Sequence, residues 1–535
     1  MARKIFVMAA MATFAAVAEN YPIRVNHMGY LPGAPKWCEM RNPPRPTFIV
    51  QKGAEDVHWH TVYEGRWVDA PWGGDCKIGD ISSIVEPGDY RILCGELEAG
   101  DRFLMPDWKP QMQSFHFPVR DGVYDVAERL MFTYVNWQRC GSKKGWAGLC
   151  HQDKVPVKDA SGKVVRMLDA RGGYHQSCDL RNWHDGISMS VYGILRYAEI
   201  KKPLWDEGEI TDEIRWGCDY FLKVLAPEGY VYDAQFAPIG WGPRNYYLAP
   251  ATLGAQCNVA MLFARASIFF RDADAVYAEK LLCASRRIWN QIETNPFFEK
   301  AQPAPEKNLP AGAQPAEICY FQQWRTSVNG ISERAAAALE LYRATGEPDY
   351  ASKAKALCME QIRHLAREGE NAGCFVSKDG TLAFRDWSYC WRISGPRVPL
   401  EMWRVFKEES FRDAALIVAE RIVREYRKNG MRPGKKAASS TAAANSLYLS
   451  ECARLFGRDD FRMWAQRAFD WILGVNPHNA SYVECVGQNQ WQRPVFGQFF
   501  PSTPQLPGGV LHIENGEYDM PAVALTMWAS AALSR

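Results

Sequence analysis

The residues best suited to bind or react gather in a few places along the chain. Cys140, Cys150, His151 and His175 bring two thiols and two imidazoles from three separated loops. That donor set suits tetrahedral Zn²⁺. The spacing is not that of a zinc finger, and a Cys140–Cys150 disulfide beside two ordinary histidines uses the same residues. Two carboxylates stand where helical patterns begin. Asp179 precedes a helix starting near Arg181, and Glu517, with Glu514 just upstream, precedes a last apolar helix with Pro521 in its first turn. On residue type alone each serves as a helix-start carboxylate. Trp241, Trp324, Trp387 and Trp391 lie in or beside irregular stretches, and Asp386 and Arg392 flank two of them. Flat aromatic faces with polar neighbours suit stacking on sugar rings, whose hydroxyls sit at the rim. The same tryptophans also suit core packing.

The elements that must hold these residues fall into two parts. Residues 19–116 carry short β-branched and aromatic runs, such as Pro46–Val50 and Asp89–Leu93. Turn signals at Pro32-Gly33, Gly73-Gly74 and Pro87-Gly88 separate them. This pattern predicts a β-sandwich. Near Asp121 the apolar period lengthens: Val123, Val126, Ala127, Leu130 and Met131 repeat at helical spacing. About twelve helical segments follow, near 121–139, 182–200, 211–225, 250–270, 272–294, 326–346, 349–368, 395–407, 411–429, 439–457, 459–474 and 517–534. Short turns such as Thr345–Pro348 and Phe456–Asp459 make neighbours antiparallel. Six such pairs predict an (α/α)6 barrel over 117–535; a helical solenoid is the alternative, and no fixed repeat supports it. The stretches 140–181, 226–249, 295–325, 369–394 and 475–516 read as irregular, and loops of that length in a compact domain are usually functional.

Composition narrows the partners. The 535 residues carry a net charge of +2, with 47% hydrophobic and 23% charged residues. No basic field exists to attract nucleic acid, and a neutral ligand fits better. Twenty tryptophans divide between core and groove. Arg3 and Lys4, the apolar run Ile5–Val17 and Ala16-Val17-Ala18 read as a cleaved leader over residues 1–18. Secretion or periplasmic export is therefore expected. No later stretch reads as a membrane span. Fifteen cysteines follow the leader, and those in helical patterns (Cys218, Cys257, Cys283, Cys358, Cys452) read as buried thiols.

Four segments in order resemble glycoside hydrolase family 9, of the type with an N-terminal immunoglobulin-like domain. They are Ile23–Lys36 (IRVNHMGYLPGAPK), Arg139-Cys140-Gly141 with Cys150-His151, Gly172–Asp179 (GGYHQSCD), and Trp471–Pro477 (WILGVNP) with Ser481-Tyr482-Val483. Trp216–Lys223 is a weaker match. The resemblance implies an inverting, cellulase-like hydrolase of β-1,4-linked glucan or related β-linked oligosaccharides. One carboxylate activates water while the other protonates the departing oxygen. Asp179 matches the family's base. Glu517 matches its acid, with Glu514 as fallback. Gln176 stands where the family has a water-holding Asp and is the candidate water-positioning residue; its amide can still hydrogen-bond water but carries no charge and cannot accept a proton. After Ser-Tyr-Val the family often has His-His-Arg; this chain has Gln488-Asn489-Gln490-Trp491-Gln492-Arg493, so Arg493 is the candidate replacement. Some members hold a structural zinc at positions matching Cys140, Cys150, His151 and His175, which would pin the loop ending in Asp179. Some bind Ca²⁺ in loops, but no run of oxygen ligands is evident here. No organic cofactor and a monomer are expected. Two alternatives follow from the departures. One is an exo-acting β-glycosidase on glucosamine-containing or mixed-linkage oligosaccharides. The other is a carbohydrate-binding protein with weakened catalysis.

Overall fold

The computed structural model describes residues 21–53, 59–94, 112–158, 163–177, 180–201, 207–236, 247–248, 251–299, 325, 327–377, 382–384, 395–430, 438–491, 506–511 and 518–535. Residues 1–18, expected to be a leader, and residues 492–505 and 512–517 lie outside them.

The N-terminal part is strand-rich. Strands β1 (Trp37–Arg41), β2 (Thr47–Gly53), β3 (Trp59–Arg66), β4 (Val68–Asp69), β5 (Cys76–Asp80), β6 (Gly88–Leu93) and β7 (Phe117–Val119) form two antiparallel sheets, ordered β1-β5-β4 and β3-β2-β6-β7. Apolar residues of both sheets share one core that includes Cys38, Phe48, Val50, Tyr90, Ile92 and Phe117. Alternation along each strand directs these side chains inward. Phe48 explains two glycines. A Cβ on Gly65 would sit 2.2 Å from its ring and one on Gly79 2.5 Å. The sheet runs three residues past the expected boundary at 116, because Phe117–Val119 pairs with Gly88–Tyr90.

Twelve helices follow among the described residues: α1 (Asp125–Trp137), α2 (His184–Ile200), α3 (Glu207–Val224), α4 (Leu253–Phe270), α5 (Ala275–Thr294), α6 (Val328–Thr345), α7 (Pro348–Arg363), α8 (Val398–Phe406), α9 (Glu409–Asn429), α10 (Ala438–Phe456), α11 (Asp459–Ile472) and α12 (Met520–Leu533). Alternate helices pack on one another, α10 on α12, α12 on α2, α2 on α4, α4 on α6 and α6 on α8. Their sequences explain it. Helices α2, α4 and α12 are buried on nearly every face, whereas α5 and α9 keep one polar face toward solvent. Helix α4 corrects one expectation. Its 18 residues are long and apolar enough to cross a bilayer, but 83% of them are buried among neighbouring helices. Several stretches expected to be irregular also contain short pairings: β8 (Val155–Lys158) with β9 (Val164–Leu168), and β10 (Asn182–Trp183) with β11 (Ala234–Phe236) and β12 (Tyr247–Leu248). A third pairing joins β13 (Phe375–Val376) to β14 (Leu382–Phe384).

A buried ion network ties the alternate helices together. Arg265 pairs with Glu199 and Glu340, Arg343 with Glu340 and Glu401, and Arg397 with Glu401 and Glu451. Arg196 and Arg397 lie against the Trp528 ring, 5.0 and 4.3 Å from its centroid. Each charge is matched by partners on neighbouring helices, which offsets its desolvation. The strand-rich part is joined to α11 by polar contacts. Asn26 Nδ2 donates to Asp470 Oδ1 at 2.8 Å, and Arg467 pairs with Glu39 while lying against Trp37 and Trp72. Among the described cysteines none forms a disulfide, and most are buried; Cys283, expected buried, is exposed because it faces outward on α5.

Candidate functional site

The loop 172–177 is shaped by glycines and a tyrosine. Gly173 adopts φ +71°, and a Cβ there would meet the Tyr220 ring at 2.8 Å. Only glycine allows that approach in the left-handed region. Tyr174 is buried, and its hydroxyl donates to Glu213 Oε1 at 2.6 Å, a carboxylate also held by Arg139. Tyr174 pairs with Arg139 across an antiparallel bridge. The His175 amide donates to the Gln138 carbonyl, and the Cys140 amide to that of Gly173. Two segments far apart in sequence are thereby zipped together.

That zipper assembles the four metal-ligand candidates. Cys140, Cys150, His151 and His175 are 0–7% exposed, and their ligand atoms all lie within 4.8 Å of one another. The two sulfurs are 3.6 Å apart. A disulfide needs about 2.05 Å, whereas two thiolates ~2.3 Å from a shared tetrahedral ion would be ~3.8 Å apart. Cys150 Sγ lies 3.2 Å from His175 Nε2 and accepts the Gly141 amide at 3.1 Å. Both ring nitrogens of His151 are buried and make no hydrogen bond among the described residues, and the same holds for His175 Nδ1. Buried imidazole nitrogens left without hydrogen bonds call for a partner. The donor set, burial and spacing fit Zn²⁺. The thiol of Cys140 beside it holds the Cys150 thiol well below its ordinary range, while burial pushes Cys140 up.

Gln176 follows at once and joins a third segment. Its amide donates to the Arg181 carbonyl at 2.9 Å. Its carbonyl accepts from the Met520 amide at 2.9 Å. Its side-chain Nε2 donates to Asp519 Oδ1 at 2.8 Å, and Ser177 forms a bridge with Asp519. Across the same region Leu511 bridges Tyr518, whose hydroxyl donates to Glu484 Oε2 at 2.7 Å. Segment 473–491 is anchored by Asn476, whose Nδ2 reaches the Trp471 and Ala480 carbonyls.

Gln176 and the four ligand candidates are therefore brought together. Asp179, Glu517, Glu514, Trp241, Trp324, Trp387, Trp391, Asp386, Arg392 and Arg493 lie outside the described residues. Three residues standing in place of the family's His-His-Arg run have structural tasks. Gln488 reaches the His116 carbonyl of the strand-rich part, Asn489 donates to the Asn479 carbonyl, and Gln490 accepts the Cys485 amide. Sequence reasoning missed Asp519, although it lies two residues after Glu517, because it read only as a residue ahead of a helix. It also missed Asp233. Burial, and then nearby Asp185, raise the Asp233 carboxyl well above the ordinary range, and Thr252 donates to it at 2.6 Å.

Comparison with known proteins shows the family. The model for glycosyl hydrolase family 9 matches residues 124–497. The cellodextrinase of Butyrivibrio fibrisolvens is 22% identical over 510 residues, covering 88% of this chain and 86% of that protein. Among solved structures, the Bacteroides ovatus GH9 superposes with a TM-score of 0.73 at 16% identity, covering 96% of this chain and 99% of that one. A Zn-binding triple mutant of the GH family 9 endoglucanase J30 gives 0.71 at 17% identity, covering 94% and 99%. Matched over well more than half its length, the chain belongs to glycosyl hydrolase family 9 and is an inverting O-glycosyl hydrolase.

Proposed function

We propose that this family 9 chain hydrolyses β-1,4-linked glucan or related oligosaccharides with Asp179 as general base and Glu517 as general acid. The supporting observation is the pairing of Ser177 with Asp519. Asp179 stands two residues from Ser177, and Glu517 two residues from Asp519. A two-residue step spans at most about 7 Å, which supports a reading in which carboxylates far apart in sequence share one neighbourhood. Inversion needs them about 6.5–9.5 Å apart with a water between. Asp179, ionised, takes the water's proton as its oxygen attacks the anomeric carbon. Glu517, protonated, delivers a proton to the leaving oxygen. Gln176 Oε1 is the side-chain atom that would accept a hydrogen bond from that water. Trp241, Trp324, Trp387 and Trp391 would stack on sugar rings, and Arg493 would bind hydroxyls.

The architecture proposed for this task is an immunoglobulin-like sandwich ahead of an (α/α)6 barrel. Cys140, Cys150, His151 and His175 would hold a structural Zn²⁺. Four protein ligands close its coordination, so it supplies rigidity and no open position. His175 then braces the loop that continues through Gln176. Export after removal of residues 1–18 and a monomeric state complete the reading.

One observation favours a redirected specificity within the same chemistry. The uncharged Gln176 is bound to Asp519, and Gln488, Asn489 and Gln490 are occupied structurally. An exo-acting enzyme on glucosamine-containing or mixed-linkage oligosaccharides fits that change. Hydrolysis of a panel of cello-, mixed-linkage and chitosan-derived oligosaccharides decides it. Turnover of cello-oligosaccharides supports the first reading; turnover confined to the others supports the second. No cleavage anywhere in the panel refutes both.

A further inference from the structure

We propose that Asp519 is a positioning residue whose hydrogen bond with Gln176 keeps the segment bearing the base in register with the segment bearing the acid. The inference rests on the assignment of Asp179 and Glu517. Asp519 occupies the position just before α12, where an aspartate normally turns back to cap its own helix. Here its side chain makes no such cap. It instead accepts Gln176 Nε2 at 2.8 Å. Both residues are buried, Gln176 at 4% exposure and Asp519 at 1%. Nearby packing is close: a Cβ on Gly186, at the start of α2, would lie 3.3 Å from Gln176 Cγ and 3.6 Å from Pro521 Cγ.

The contact closes a path between two brackets. Gln176 and Arg181 are joined across residues 178–179, and Leu511 and Tyr518 are joined across residues 512–517. Links between the brackets among the described residues include the Met520–Gln176 backbone bond, the Ser177–Asp519 bridge and the Gln176–Asp519 side-chain bond. Of these three, the last depends on residue type. A neutral amide donor matches the carboxylate. A carboxylate at 176 would face Asp519 at hydrogen-bond distance, where two buried like charges repel. The residue at 176 is therefore matched to Asp519, and the glutamine is a clamp before it is a ligand of water.

Isosteric substitutions test this in the full-length, zinc-supplemented protein. Gln176→Glu should lower kcat about 100-fold with KM within about threefold, the scale expected when reacting groups shift by about 1 Å. Asp519→Asn should be mild, because its Oδ1 can still accept. The double variant Gln176→Glu/Asp519→Asn restores a carboxylate–amide pair of reversed polarity and should recover at least about tenfold of the lost kcat. If Gln176→Glu does not fold, Gln176→Asn, one methylene too short to reach, should show the same kcat loss. The proposal is overturned if Gln176→Glu matches or exceeds the wild type, or if adding Asp519→Asn recovers nothing. If Asp179→Asn and Glu517→Gln both keep activity, the acid–base assignment fails and the clamp falls with it. If those two are inactive while Gln176→Glu is unaffected, only the clamp fails.

Discussion

Asp470 offers a perturbation whose size and sign can be worked from the structure. It sits fully buried at the junction between the strand-rich part and α11, accepting Asn26 Nδ2 at 2.8 Å and Gln466 Nε2 at 2.7 Å on one oxygen. Burial is the dominant influence and raises its carboxyl from 3.8 to about 7, against the pull of those two amides and Arg467. Between these values the unfolded chain has released a proton that the folded protein retains. Stability from this group is therefore fully present below pH 4 and is lost as pH rises toward 7. Three units at about 1.4 kcal/mol each amount to about 4 kcal/mol. His27 and His184 act in the opposite sense. Burial lowers each from 6.5 to about 4, so the unfolded chain binds their protons more readily and stability rises with pH over that interval. The wild-type profile sums these trends, so the diagnostic is a difference. Asp470→Asn keeps an acceptor oxygen for Asn26 and Gln466 but cannot ionise. In urea denaturation followed by tryptophan fluorescence, its stability relative to wild type should rise by about 4 kcal/mol from pH 4 to pH 8. A difference independent of pH would show that Asp470 is ionised throughout and would refute the reasoning.

Other perturbations probe separate parts. Cys150→Ser should cut bound zinc by more than about tenfold, measured by plasma mass spectrometry after dialysis, and lower the thermal midpoint; unchanged zinc content would remove the metal from the account. Arg397→Met deprives Glu401 and Glu451 of a shared partner and should destabilise by about 3–5 kcal/mol, seen as a lower denaturation midpoint with little change in KM. Gly474 adopts φ +138°, and a Cβ there would lie 2.5 Å from His27 Cδ2 and 2.6 Å from the Val25 carbonyl. Gly474→Ala should therefore cost about 1–3 kcal/mol or more at the junction, and an unaltered midpoint would contradict that packing.

Much of the scaffold is legible in the sequence because it is built from local periodicity. The 3.6-residue pattern begins near Val123, and the helices fall where that pattern and the short turns at Gly346-Glu347 and Gly457-Arg458 place them. The metal-ligand candidates are legible because cysteine and histidine are rare and chemically distinctive. Contacts made by common residues across long separations are not. Nothing local in Glu-Tyr-Asp-Met-Pro says that Asp519 forgoes its own helix to bind Gln176, 343 residues away. The same holds for Asn26 and Asp470, 444 residues apart. Helix α4 shows the converse failure, since composition alone cannot separate an apolar helix in a protein core from one in lipid.

The central claim is that Glu517 donates the proton and Asp179 accepts one. Leaving-group dependence tests it most directly. A substrate whose leaving group departs without protonation has no need of the acid but still needs the base. Glu517→Gln should lose about a thousandfold in kcat/KM on cellotetraose and less than about tenfold on 2,4-dinitrophenyl β-cellobioside. Asp179→Asn should lose about a thousandfold on both, and Glu514→Gln should leave both nearly unchanged. Equal losses for Glu517→Gln on the two substrates, or the leaving-group pattern appearing in Glu514→Gln instead, would contradict the assignment.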